Sequence, residues 1–137
     1  MDVRASTTEG MADSRVGRAG WFADVYRMVR EAVETRRPIA AVYHHRYRLL
    51  CPHRLGRNKD GQVRVLCYQY GGESESGLEA AGSPANWRCI GLEKLSAVEA
   101  LNDVWRTAPN HSRPGSCIVD VDVDADDYPL GDPQQGQ

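Results

Sequence analysis

From Trp21 the apolar positions recur at helical spacing. Trp21, Phe22, Val25, Tyr26, Met28, Val29 and Val33 fall on one broad face, predicting a helix over 21–36. Pro38 ends it, because the residue before a proline avoids the α region. Beyond it the texture changes to strands, with apolar runs at Ile39 to Tyr43 and at Tyr47 to Cys51 separated by His44-His45-Arg46, the length of a hairpin turn. A third strand is expected from Gln62 to Tyr70, introduced by Asn58-Lys59-Asp60-Gly61, whose Asp-Gly supplies the positive φ of a tight turn. These three form a meander.

Gly71 to Asn86 is polar, glycine-rich and without periodicity, so it reads as a mobile surface loop. Trp87 to Leu92 resumes strand character. Lys94 to Leu101 fits either a further strand or one helical turn. Asn102 to Ser116, with Pro109, Pro114 and Gly115, reads as an irregular connection. Cys117, Val119, Val121 and Val123 then alternate with Ile118, Asp120, Asp122 and Asp124, the clearest period-2 stretch in the chain, predicting an edge strand with an acidic, solvated outer face. Residues 1–20 and 126–137 are expected to be flexible tails around one domain over 21–125, with the helix at 21–36 and a sheet over 38–124.

Five or six short strands joined in sequence bury enough surface only by curling on themselves or packing under the helix. The expected fold is mainly β: a small SH3- or Sm-like barrel with one N-terminal α-helix. The alternative is an α+β sheet covered by that helix.

Composition adds bounds. At 137 residues, 41% hydrophobic and 26% charged, the chain has the make-up of one soluble globular domain. With no apolar run near the roughly 20 residues that cross a bilayer, no membrane role and a cytoplasmic location are expected. Cys51, Cys67, Cys89 and Cys117 are then read as buried reduced thiols.

The net charge of −2 hides an asymmetry. Between Arg36 and Arg64 eight Arg or Lys face one acid, Asp60, whereas from Leu95 onward eight acids face Arg106 and Arg113. One part of the chain invites anions and the other repels them.

Candidate chemistry is thin. Gly-x-Ser-x-Gly, P-loop, Gly-x-Gly-x-x-Gly and His-Glu-x-x-His patterns are all missing, and the chain is read as non-enzymatic with no cofactor. Cys51-Pro52-His53 lacks the closely spaced ligand pair of a zinc site, and the Asp120 to Asp127 run lacks the glycine and terminal glutamate of an EF-hand loop. Richer is the basic segment, where Tyr43, Arg46, Arg48, His53, Arg54 and Gln69 interleave cations with aromatic and amide groups. Guanidinium forks grip phosphates and rings stack on bases. Taken alone, these residues fit equally an anion-binding face and an ordinary solvated one.

Over Ala40 to Leu95 the order of pieces resembles WYL domains: Val42-Tyr43, then Arg48-Leu49-Leu50-Cys51-Pro52, His53-Arg54-Leu55-Gly56, Val63 to Tyr70, a glycine-rich loop, and Trp87 to Leu95. The resemblance covers about two-fifths of the chain. The family's Trp-Tyr-Leu tripeptide would be Arg64-Val65-Leu66 here, and Cys89-Ile90 stands where an aromatic is usual. The resemblance implies a divergent, standalone member without helix-turn-helix, an Sm- or SH3-like barrel that senses a nucleotide-like anion or nucleic acid in bacterial transcription control or phage defence. It implies Arg48 and Arg88 as anion-binding arginines, Lys94 in the place of the closing-strand arginine, and Tyr43, His53 and Gln69 on the same surface. An alternative without a ligand is an interaction protein that dimerises through the 21–33 helix face.

Overall fold

A computed structural model describes residues 14–74, 77–78, 83–109 and 117–128, with residues 14–19 by backbone alone. One helix, α1 (Ser14–Thr35), packs on a six-stranded antiparallel sheet: β1 (Ile39–Tyr43), β2 (Arg46–Arg57), β3 (Val63–Gly72), β4 (Trp87–Gly91), β5 (Ser96–Ala100) and β6 (Asp120–Asp124). The mainly β class holds, with one α-helix among the described residues.

Helix α1 starts at Ser14, inside the segment expected to be a flexible tail, of which residues 1–13 lie outside the described residues. Its buried stripe is Val25, Val29, Ala32 and Val33, flanked by Phe22 and Tyr26, so the apolar face offered to a partner is covered by the chain's own sheet. At its end Arg36 takes a left-handed φ of 53°, while the Arg36 and Arg37 N–H groups bond the carbonyls of Val33 and Ala32. That closes the helix in a Schellman turn without the usual glycine. Two bonds from the Arg36 guanidinium to the Ala125 carbonyl, at 3.2 and 3.0 Å, hold the corner.

The β1–β2 turn is tighter than expected, with only His44 and His45 in it, both at positive φ, and Arg46 already in β2 opposite Tyr43. In the β2–β3 turn the Asn58 side chain accepts from the N–H groups of Asp60 and Gln62, and Gly61 supplies φ +81°. Strand β2 runs continuously to Arg57, well past the expected end at Cys51. Its first half pairs β1 along one edge and its last four residues pair β6 along the same edge, while β3 follows the other. Lys94 to Leu101 resolves into the end of a 3₁₀ turn (Leu92–Lys94) followed by β5, which returns to pair β1.

The strand order β4-β3-β2-β1-β5 leaves β4 and β5 unpaired with each other, so the sheet is open by hydrogen bonding. It is nevertheless strongly curled. Gly91 lies in register, through Arg64, with Gly56 of β2, and Ser96, through Val42, with Tyr47. On a flat sheet those nine residues of β2 and four strand spacings would put Gly91 and Ser96 roughly 35 Å apart. Five residues reach at most about 18 Å. The sheet must therefore bend round until its outer strands approach, which is the economy of a small barrel.

Curling creates two cores. The inner one joins the helix stripe to Ile39, Ala41, Leu50, Leu55, Val65, Cys67, Ile90, Leu92, Leu95 and Val123. A smaller one on the opposite face gathers Cys51, Leu66, Tyr68, Trp87, Ala108 and Ile118, covered by Trp105 and Cys117. Along β3 the alternation of Val65 and Cys67 with Leu66 and Tyr68 feeds both.

Two sequence expectations fail here. Cys89 and Cys117 form a disulfide between β4 and the start of the last segment, so only Cys51 and Cys67 are buried thiols. In the last segment Val119 and Val121 are 62% and 48% exposed, Ile118 and Val123 are buried, and the acids are largely engaged. The chain at 118–121 crosses directly over Gly56, where a Cβ would strike the Asp120 carbonyl and the Ile118 side chain, and the β2–β6 register shifts between Leu55 and Gly56. That shift breaks the simple alternation. Residues from 126 are not loose at first either, since Ala125–Asp127 forms a 3₁₀ turn with Ala125 buried. The expected loop at 71–86 and connection at 102–116 fall partly outside the described residues, at 75–76, 79–82 and 110–116, as does the C-terminal tail from 129.

Candidate anion-binding site

At one end of the inner face the strands bring together five of the eight expected residues. Tyr43 and Arg46 are directly opposed across the β1–β2 hairpin, and Arg48 lies two residues further along β2 on the same side. Gln69 of β3 is fully buried, and Arg88 enters from β4, paired with Cys67. Arg48 is only 4% exposed. Its Nε donates to the Tyr43 carbonyl at 3.2 Å, its Nη1 donates to Gln69 Oε1 at 3.4 Å, and its Cζ sits 5.0 Å from the centre of the Tyr43 ring.

Gln69 completes the support. Its amide nitrogen donates to the carbonyls of Gly71 and Glu73 at 3.0 and 2.7 Å, which orients the amide oxygen toward Arg48. Gly72 lies opposite Arg48 with φ +82°, and a Cβ there would collide with the Tyr47 carbonyl and the Arg48 backbone. Glycine is required at that point for β3 to pass so close to Arg48.

Arg88 is half-buried and fastens both sides of the β3–β4 loop. Nη1 donates to the carbonyls of Ala85 and Trp87, and Nη2 to Ser74 Oγ and the Gly77 carbonyl. Those partners are all neutral. Burial lowers the Arg88 pKa from the ordinary arginine value, and the positive charge of Arg48 lowers it further. Two like charges forty residues apart in sequence thus sense each other across the face.

The other three expected residues lie elsewhere. Arg54 pairs with Asp124 on β6 at 2.9 Å, with both side chains largely buried, and Arg57 approaches Asp122 at 3.7 Å. Much of the charge asymmetry along the chain is therefore cancelled internally, because β6 lays its acids along the basic half of β2. Asp122 also accepts from the Tyr26 hydroxyl at 2.6 Å. Lys94 is exposed on the 3₁₀ turn after β4 and takes no part in the bonds that hold Arg88. His53 is on the opposite face. Two residues past Cys51 on β2, it points with that side chain into the second core, between the rings of Trp87 and Trp105, 4.7 and 4.5 Å away.

That second location assembles residues the sequence did not single out. Trp105 and Thr107 come from the irregular connection, where neither periodicity nor a motif marks them. Among the described residues no group of His, Cys, Asp and Glu is arranged to hold a metal, and no helix is long and apolar enough to cross a membrane.

Among the described residues the structure is a curled antiparallel sheet packed by one helix, with Arg48 and Arg88 on one face of the sheet. Comparison with known protein families, curated proteins and solved structures gave no match.

Proposed function

We propose that this chain is a regulatory binding domain that takes a nucleotide-like anion or a single-stranded oligonucleotide at the Arg48–Arg88 end of its sheet. The observation that carries the reading is that the strand registers set those two arginines on one face of the sheet, Arg48 opposite Ala41 and Arg88 opposite Cys67. Two guanidinium groups on one face can bridge a single anion. The Tyr43 carbonyl and the Gln69 amide oxygen, which accept from Arg48, and the Tyr43 ring fix it in advance, so little ordering is left for binding. Tyr43 and His44, stacked with ring centres 4.1 Å apart, stand at the rim where a base could lie. Among the described residues this end of the sheet pairs no nucleophile with a base, and binding without turnover is proposed there. A divergent WYL-type domain acting inside the cell is part of the same proposal.

Fluorescence anisotropy with a labelled single-stranded oligonucleotide tests it. If two phosphates are neutralised, log K falls with log salt at a slope of about −1.4. Arg48→Ala with Arg88→Ala should abolish binding and flatten the slope while the protein stays folded by near-UV circular dichroism. Unchanged affinity in that folded double variant sinks the proposal.

A further inference from the structure

On the face opposite the arginine site a cavity of about 400 Å³ opens beside β2, lined by Arg36, His53, Trp105, Thr107, Pro109 and Asp126 among others. His53 is only 4% exposed, and its two ring nitrogens have different tasks. Nδ1 lies 2.8 Å from the Cys51 carbonyl oxygen, which can only accept, so Nδ1 carries the proton in the neutral ring. Nε2 then presents its lone pair to the Thr107 hydroxyl at 3.0 Å. A hydroxyl, an imidazole base and a carbonyl that fixes the tautomer form a relay of the kind that activates hydroxyl nucleophiles. The tilted Trp105 ring further restrains the imidazole, and Thr107 is exposed at the cavity wall.

We infer that Thr107 and His53 form an acyl-transfer site for small activated esters, separate from the anion site and independent of it. Thr107 Oγ1 attacks the ester carbonyl carbon as its proton passes to His53 Nε2. The bond from that carbon to the leaving oxygen breaks, the leaving group departs with the electron pair, and the imidazolium returns the proton to it. Threonine is left acylated. Water then attacks the acyl carbon, gives its proton to Nε2, and the released Thr107 oxygen recovers that proton as the free acid leaves. The Arg36 guanidinium supplies positive charge to the same cavity for the developing oxyanion, moderated by Asp126 at 3.6 Å.

The full chain treated with p-nitrophenyl acetate, quenched in acid, digested with trypsin and sequenced by mass spectrometry provides the test. Thr35 is an internal reference, since it is exposed and its hydroxyl donates to the Glu31 carbonyl, with no bond to an imidazole among the described residues. A positioned general base contributes roughly 10²- to 10⁴-fold. Acetylation at Thr107 should therefore outpace that at Thr35 by at least about 100-fold. Thr107→Ser should retain the reaction, Thr107→Ala should abolish it, and His53→Asn should bring it down to the Thr35 rate. Equal acetylation of Thr107 and Thr35, or nitrophenolate release unchanged in Thr107→Ala, overturns the inference. Should His53→Asn fail to fold, the ratio of the two threonines in the unaltered chain decides alone.

Discussion

Breaking the Cys89–Cys117 bond, by reductant or as Cys89→Ser with Cys117→Ser, frees a loop of 28 residues that includes β5 and the segment covering the second core. Loop-closure entropy for that length is about 12 cal/mol/K, or roughly 3–4 kcal/mol at 25 °C. For a domain near this size about 4 °C of melting temperature accompanies each kcal/mol, so a drop on the order of 10–15 °C is expected. The loss should be visible locally. Trp87 Nε1 donates to the Pro109 carbonyl at 3.1 Å and Trp105 packs on His53, so the near-UV tryptophan signal should weaken before the far-UV signal. Thiol titration of the denatured protein sets the reference: two thiols, Cys51 and Cys67, before reduction and four after. Protein alkylated at the moment of cell lysis should show four if it resides in the reducing cytosol. Oxidised and reduced forms melting within about 2 °C of each other would refute the clasp.

Tyr68→Phe should leave the melting temperature unchanged or raise stability by up to about 1 kcal/mol, because the Tyr68 hydroxyl is buried with no partner among the described residues; a clear loss would mean that the hydroxyl is bonded after all. Gly72→Ala, forced into a positive φ against the Tyr47 carbonyl, should cost roughly 1–3 kcal/mol in chemical denaturation and weaken oligonucleotide binding by displacing Arg48. Burial, only partly offset by the Arg106 N–H bond to its sulfur, pushes the Cys51 thiol up to about 12 from 9.0. The folded state then holds a proton that the unfolded chain releases, so this contribution is intact below pH 9 and is lost as pH rises toward about 12. Melting temperature should fall across that window, and less steeply in Cys51→Ala; parallel slopes would contradict the assignment.

Local chemistry was readable and distant pairing was not. The turns at His44-His45 and Asn58 to Gly61 sit where the sequence expects them, because each is specified by its own residues. The helix stripe was legible for the same reason, although its start at Ser14 carried no apolar signal. Arg54 and Arg48 look alike in sequence. They part because β6, seventy residues from Arg54, brings Asp124 beside one and not the other. The resemblance to WYL domains sets His53 beside Arg48, although two residues five apart on one strand fall on opposite faces by simple alternation, and His53 indeed lies with Cys51. The valines of the last strand misled because the chain passes over Gly56 and leaves Val119 and Val121 outward. The disulfide joins cysteines 28 residues apart whose meeting depends on the completed sheet. Only the resemblance to WYL domains joins Arg48 to Arg88 in the sequence, since no spacing rule pairs residues forty apart.

Nuclear magnetic resonance of arginine side chains tests the central claim most directly. Titrating the ¹⁵N-labelled protein with a short single-stranded oligonucleotide should shift the Nε–H signals of Arg48 and Arg88 and the Gln69 amide saturably and together, with the Arg54 signal unmoved in its pair with Asp124. Shifts confined to Arg54, Arg57 and Lys59, or no saturable shift at either Arg48 or Arg88, would contradict the account.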